Sequence, residues 1–149
     1  HLEDIAHSLS RQCRFNGHCR DFYSVAEHCV EVSNIILNNT NDPVLAMVGL
    51  LHDAAEAYIG DVVSPLKVML LGYLRIEDQI EACVSEAFGI PYPFPPEVKE
   101  ADKEMLAREF ATLEPFAEEG AIIHVPLTPN LAKQAFLDTY AKLKELRGC

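Results

Sequence analysis

Apolar residues recur along this chain at spacings of three and four rather than two, and clusters of turn-forming residues separate the runs. From Phe22 to about Leu37, the positions Val25, Cys29, Val32, Ile35 and Ile36 fall on one face of a 3.6-residue repeat, which predicts an amphipathic helix. Asn38-Asn39-Thr40-Asn41-Asp42 then marks a turn, and Pro43 suits the first helical position after an aspartate cap. The next stretch, Val44 to Glu56, is apolar nearly all round, as a central buried helix is. Upstream, Ile5 to Gln12 predicts a short helix and Cys13 to Asp21 an irregular polar segment. Downstream, Gly60 to Pro65 breaks the pattern, and Leu74 to Phe88 predicts an amphipathic helix. Pro91 to Pro96 reads as a stiff linker. Glu97 to Leu113 is helical again, with Val98, Met105, Leu106 and Phe110 as core positions. Gly120 to Thr128 suits a brief strand or a loop, and Thr128-Pro129 opens a last helix running to about Leu146. With no repeat and no low-complexity stretch, the expectation is one all-α domain over residues 1–149, a compact helical bundle.

Composition narrows this further. A chain of 149 residues, 49% of them hydrophobic, can bury a real core. Its longest apolar run, Pro43 to Leu51, falls well short of the ~18 residues of a membrane span. A formal net charge of −11 repels duplex nucleic acid, so neither nucleic acid nor membrane is an expected partner. A small anionic substrate remains open, because a metal and a few cations can reverse the field inside one pocket. The five cysteines, Cys13, Cys19, Cys29, Cys83 and Cys149, are odd in number and include no C-x-x-C, which points to reduced thiols and a cytoplasmic protein. Cys19, in a polar loop, is the one reactive-thiol candidate, though no clear activating pair stands nearby. No signal-peptide pattern is visible. The chain begins at His1 without a methionine and turns helical almost at once, so a trimmed N-terminus is expected.

The densest chemistry lies in Leu50-Leu51-His52-Asp53-Ala54-Ala55-Glu56. Imidazole beside carboxylate suits a borderline divalent metal such as Zn²⁺, Mn²⁺, Co²⁺ or Fe²⁺. Adjacent residues on a regular helix point about 100° apart, so both reach one ion only where the helix bends or ends. Further ligands must come from elsewhere. His28, on the inner part of the preceding helix, is one. Asp102, about a turn into a later helix, is another, with Glu100 and Glu104 as competing acids.

The order His28, His52-Asp53, Asp102 resembles the HD-domain metal-dependent phosphohydrolases, and most closely the compact five-prime deoxynucleotidases and phage dATP triphosphohydrolases. The likeness runs from about Ile5 to Phe110. Val25-Ala26-Glu27-His28 resembles the first-histidine segment, and His52 to Lys67 (HDAAEAYIGDVVSPLK) resembles the signature, with Glu56, Asp61 and Lys67 at matching offsets. Arg14-Phe15 resembles an Arg-aromatic pair ahead of the first histidine. The resemblance implies one divalent metal on His28, His52, Asp53 and Asp102. Glu56 would orient the attacking water and manage its proton, and Asp61 would serve as a second orienter or general acid. Arg14 and Lys67 would hold the phosphate, with Arg20 and His18 as second choices, and Phe15 would stack on a base or sugar. Phe15 stands where the family often has tryptophan, and the loop between the ligand helices is short, which leaves base and phosphate number open. No second histidine pair suggests a binuclear site.

The implied activity is hydrolysis at the phosphorus on the five-prime oxygen, releasing deoxynucleoside with phosphate from a dNMP or with tripolyphosphate from a dNTP such as dATP. An alarmone hydrolase is the second enzyme reading, disfavoured because Ala57 rather than an acid follows Glu56. A metal-stabilised helical binding protein is the non-catalytic alternative. The resembled enzymes form dimers or larger assemblies, and Met69 to Tyr73 reads as an interface or as core.

Overall fold

Two central helices carry or border most of the candidate ligands, and the others pack around them. In the computed structural model, which describes residues 1–148, the order is α1 Leu2–Leu9, α2 Val25–Thr40, α3 Pro43–Leu51, α4 Glu56–Ile59, α5 Ser64–Lys67, α6 Leu71–Phe88, α7 Pro96–Thr112 and α8 Pro129–Leu146. The fold is all-α. Among the described residues the β pairing is an isolated bridge between Cys13 and Ser24. α2 lies along α3 and is flanked by α7 and α8, while α1 rests on α8 and α4.

Local chemistry sets the ends of the two central helices. Ser24 caps α2 by accepting from the Glu27 N–H, and Asn41 closes it in the left-handed conformation at φ 54°. Asp42 then caps α3, accepting from the N–H groups of Val44 and Leu45, with Pro43 at the first turn. α3 is buried all round from Ala46 to Leu51. Gly49 lets it close on α2: a Cβ there would stand 2.5 Å from Ile36 Cδ1 and 3.4 Å from Ser33 Cα. Ser33 Oγ donates to the Ala46 carbonyl at 2.9 Å across the same seam. Ile5, Leu9, Ile36, Met47, Leu50 and Phe136 form the centre of the core.

Several boundaries depart from the sequence pattern. α1 starts at Leu2 rather than Ile5, and α2 runs through the polar Asn38-Asn39-Thr40 because its buried face had already committed those residues to the helix. The apolar helix expected to reach Glu56 stops at Leu51, residues 52–55 form turns, and Glu56 opens α4. Of the brief strand or loop expected over residues 120–128, the structure has the loop. Leu106 and Phe110, expected in the core, are 37% and 46% exposed. α7 turns the expected Val98 and Met105 inward, together with Ala101 and Glu109, whereas Leu106 and Phe110 look into a cavity. Met69 and Leu71 are exposed, so that segment is not core. α6 buries little beyond Val84 and Ser85.

Candidate metal centre

The break after Leu51 is what lets His52 and Asp53 face one point. His52 Nε2 stands 3.3 Å from Asp53 Oδ2 and 3.9 Å from Asp102 Oδ1. From α2, His28 Nε2 comes within 3.1 Å of Asp102 Oδ1 and 3.8 Å of Asp53 Oδ2. His28, His52 and Asp102 present ligand atoms within 4.8 Å of one another. Glu100 and Glu104, the competing acids, point outward.

Each imidazole is fixed by an acceptor behind it. His28 Nδ1 lies 2.7 Å from Glu109 Oε1, and His52 Nδ1 lies 2.7 Å from the Gly49 carbonyl. A carboxylate and a carbonyl only accept, so both Nδ1 atoms carry the proton and both Nε2 atoms turn a lone pair to the centre. Those two Nε2 atoms are buried and find no donor: their near neighbours, Asp102 Oδ1 at 3.1 Å from His28 and Asp53 Oδ2 at 3.3 Å from His52, are themselves acceptors. A divalent cation would supply what these orphaned lone pairs lack, and the hydrogen bonds behind the rings are those that usually orient a metal-bound histidine. The donor set of two nitrogens and two carboxylates fits Zn²⁺, Mn²⁺, Co²⁺ or Fe²⁺.

Electrostatics agree. Burial and Arg14 push the His28 imidazole down, yet Asp102 and Glu109 more than offset them and hold its pKa above the ordinary value. Burial would raise the Asp102 carboxyl, but His28 and His52 take it down to about 2. Glu109, also buried, is lowered by His28 and Arg14. The acids around this point therefore favour positive charge at its centre.

Above the centre opens a cavity of about 500 Å³. Asp53 and Asp102 line it together with Arg14, Phe15, Glu56, Asp61 and Lys67, so every predicted substrate and catalytic residue shares one space with the two candidate carboxylate ligands. Glu56 is buried and its Oε2 has no hydrogen-bond partner. Burial, then the charges of Asp53 and Asp61, push its carboxyl pKa up against the pull of Lys67. Asp61 is raised as well, chiefly by burial. Gln12 ties the two acids' backbones together, donating to the Glu56 carbonyl at 2.9 Å and accepting from the Asp61 N–H at 3.0 Å.

Two cations face these acids. Arg14 Nη2 sits 2.8 Å from Glu109 Oε2, and Lys67 Nζ sits 2.7 Å from Glu77 and 3.7 Å from Glu56. Burial opposes both charges, but Glu109 beside Arg14 and Glu77 beside Lys67 raise their pKa values. Of the second choices, His18 lines the cavity, whereas Arg20 pairs with Asp21 and Glu114 on the surface. Phe15 and Asn16 occupy the left-handed region at φ 55° and 52°, a backbone kink that aims the Arg14-Phe15 pair inward. Phe15 packs with Phe110 and Phe116 at ring distances of 5.2–5.5 Å, giving the cavity one aromatic wall.

Glu109 and Glu77 escaped the sequence reading. Glu109 follows Asp102 by seven residues, two helical turns along the same face, and that spacing was the available signal. Cys19, the reactive-thiol candidate, is buried, and burial, with Cys13 beside it, pushes its thiol up to about 11, which disfavours the thiolate. Cys13, Cys19, Cys29 and Cys83 are free thiols, and Cys149 lies outside the described residues.

The fold and site together define an all-α protein in which two buried histidines and two partly exposed aspartates converge beneath a cavity lined by acids, two cations and aromatic residues. No description of a known protein family matches the sequence. The chain is 38% identical over 159 aligned positions to YfdR of Escherichia coli K12, a match spanning 99% of this chain and 86% of that protein, and it belongs to the family of YfdR. It is also 37% identical over 107 positions to a protein of Rhodobacter capsulatus, across 68% of this chain and 55% of the other. Both relatives are described as uncharacterized.

Proposed function

We propose that this protein is a metal-dependent phosphohydrolase of deoxynucleotides with an HD-type centre, acting at the phosphorus on the five-prime oxygen. The observation that carries the reading is the pair of partnerless Nε2 atoms of His28 and His52, converging with Asp53 and Asp102 directly beneath a cavity that holds Glu56, Asp61, Arg14 and Lys67. His28, His52, Asp53 and Asp102 would hold one divalent transition metal. Such an ion supplies Lewis acidity for the phosphoryl oxygen and the attacking water. Glu56 Oε2 would take the proton of that water; burial and the charge of Asp53 push its carboxyl up, and a cation held beside Asp53 would offset that push and keep it ionised. Asp61 orients the water from the other side or returns a proton to the leaving five-prime oxygen. Arg14 and Lys67 stabilise negative charge on the transferred group. Phe15, with Phe110 and Phe116 behind it, stacks on the nucleoside.

The products are deoxynucleoside with phosphate from a dNMP, or with tripolyphosphate from a dNTP such as dATP. The cation supply supports the monophosphate. Arg14 and Lys67 are both already paired with carboxylates, which leaves little positive charge for a second and third phosphate. An alarmone carries still more phosphate charge and fits less well. Among the described residues no helix is long and apolar enough to cross a membrane. We place the enzyme in the cytoplasm as a dimer or larger assembly, with the exposed segment around Met69 and Leu71 as the contact between copies.

The test is product chromatography after incubation with dNMPs, dNTPs and rNTPs in the presence of Mn²⁺, Co²⁺ or Zn²⁺, for wild type and Asp53→Ala. Deoxynucleoside is expected from wild type alone, with phosphate as its partner product. No turnover with any nucleotide and metal would sink the hydrolase and favour a metal-stabilised binding protein.

A further inference from the structure

Glu109 sits two turns along α7 from Asp102 with no solvent-exposed side-chain surface. A buried carboxylate is costly unless its oxygens are paired. Here each oxygen serves a different partner: Oε1 stands 2.7 Å from His28 Nδ1, and Oε2 stands 2.8 Å from Arg14 Nη2. Both partners serve the candidate site. His28 turns its other nitrogen towards the candidate metal centre, and Arg14 lines the cavity wall. We propose that Glu109 is a positioning residue with two simultaneous tasks, setting the tautomer of His28 for the metal and the place of the Arg14 guanidinium for the phosphate. This rests on the metal-centre reading above.

The chemistry of the side chain makes the two tasks inseparable. A carboxylate accepts on both oxygens, whereas an amide accepts on one and donates on the other. In Glu109→Gln, an amide oxygen turned to His28 leaves the NH₂ facing the donors of Arg14. The flipped amide serves Arg14 but offers N–H groups to His28 Nδ1. That moves the imidazole proton to Nε2 and removes the lone pair from the centre. Either orientation sacrifices one partner, although volume is kept. Glu109→Asp retains two acceptors and the charge but shortens the reach.

The experiment is calorimetric titration of the full chain with Co²⁺, then of the Co²⁺-saturated protein with inorganic phosphate. Wild type, Glu109→Gln and Glu109→Asp are compared, with circular dichroism to confirm folding. Glu109→Gln is expected to weaken Co²⁺ binding by about 10–100-fold. Its phosphate affinity should stay reduced after Co²⁺ saturates, and Glu109→Asp should fall between in both titrations. Unchanged Co²⁺ affinity in folded Glu109→Gln overturns the proposal, and so does phosphate binding that returns to wild type once Co²⁺ saturates. If Glu109→Gln does not fold, unchanged titrations of Glu109→Asp overturn it equally. Wild type that binds no Co²⁺ defeats the metal centre itself, whereas Co²⁺ binding without nucleotide turnover defeats only the hydrolase reading.

Discussion

Glu56 illustrates how surroundings make one carboxylate differ from its neighbours. It opens α4 just past the break that frees His52 and Asp53, so it faces the cavity without joining the ligands. Replacing it by glutamine keeps the shape and removes the proton acceptor. Glu56→Gln should lower kcat by roughly 10²–10⁴-fold while Co²⁺ affinity stays within a few-fold of wild type, as single-turnover assays and calorimetry would show. An equal loss of Co²⁺ binding would instead make Glu56 a ligand. At this scale the sequence was informative where residue type and spacing carry chemistry, as at His28, His52-Asp53 and Asp102, which the fold does bring together. It did not single out Glu109: the seven-residue spacing from Asp102 put it on the same face, but one acid among several on α7 becomes special only when the rotation of that helix buries it.

At the scale of elements, the α2–α3 seam decides whether the two imidazoles meet. Gly49 lies against Ile36 and Ser33 of α2, and its carbonyl also holds His52 Nδ1. Gly49→Ala should cost about 1–3 kcal/mol of stability by overpacking against Ile36 and should weaken Co²⁺ binding as well. Chemical denaturation and metal titration of one preparation would check both, and a stable variant with normal metal affinity would show the seam to be slack. The apolar residues of α7 divide differently. Phe110 packs with Phe15 and Phe116 at the cavity wall, whereas Phe136 of α8 is fully buried. Phe110→Ala should cost about 0.5–1.5 kcal/mol and raise KM for a nucleotide. Phe136→Ala should cost about 3–5 kcal/mol. Equal losses in thermal denaturation would return Phe110 to the core. Periodicity identified α7 as a helix, but two apolar residues facing a cavity give the same pattern as two facing a core.

For the whole molecule, the net charge of −11 is felt where acids crowd. Glu81 on α6 is pushed up to about 7 by burial, then by Glu77 and Asp53. A raised carboxyl pKa means the folded state holds the proton more tightly than the unfolded chain. The associated stability is complete below the ordinary glutamate value and is lost as pH rises through about 7. Glu81→Gln should therefore stabilise the protein at about pH 8 and leave it unchanged at about pH 4. Denaturant midpoints at the two pH values would show it, and an equal gain at both would assign the effect to packing.

Periodicity, caps and turn residues determined the all-α class and most helix positions, because those signals act over a few residues within one helix or turn. Residue types at three separated places, His28, His52-Asp53 and Asp102, determined the candidate ligands. What the chain order could not determine was everything that depends on how helices rotate and approach one another: the stop of α3 at Leu51, the outward turn of Leu106 and Phe110, and the burial of Glu109 between His28 and Arg14. These are contacts between residues as many as 95 apart in sequence, set by the packing of the whole core, and no local pattern encodes them.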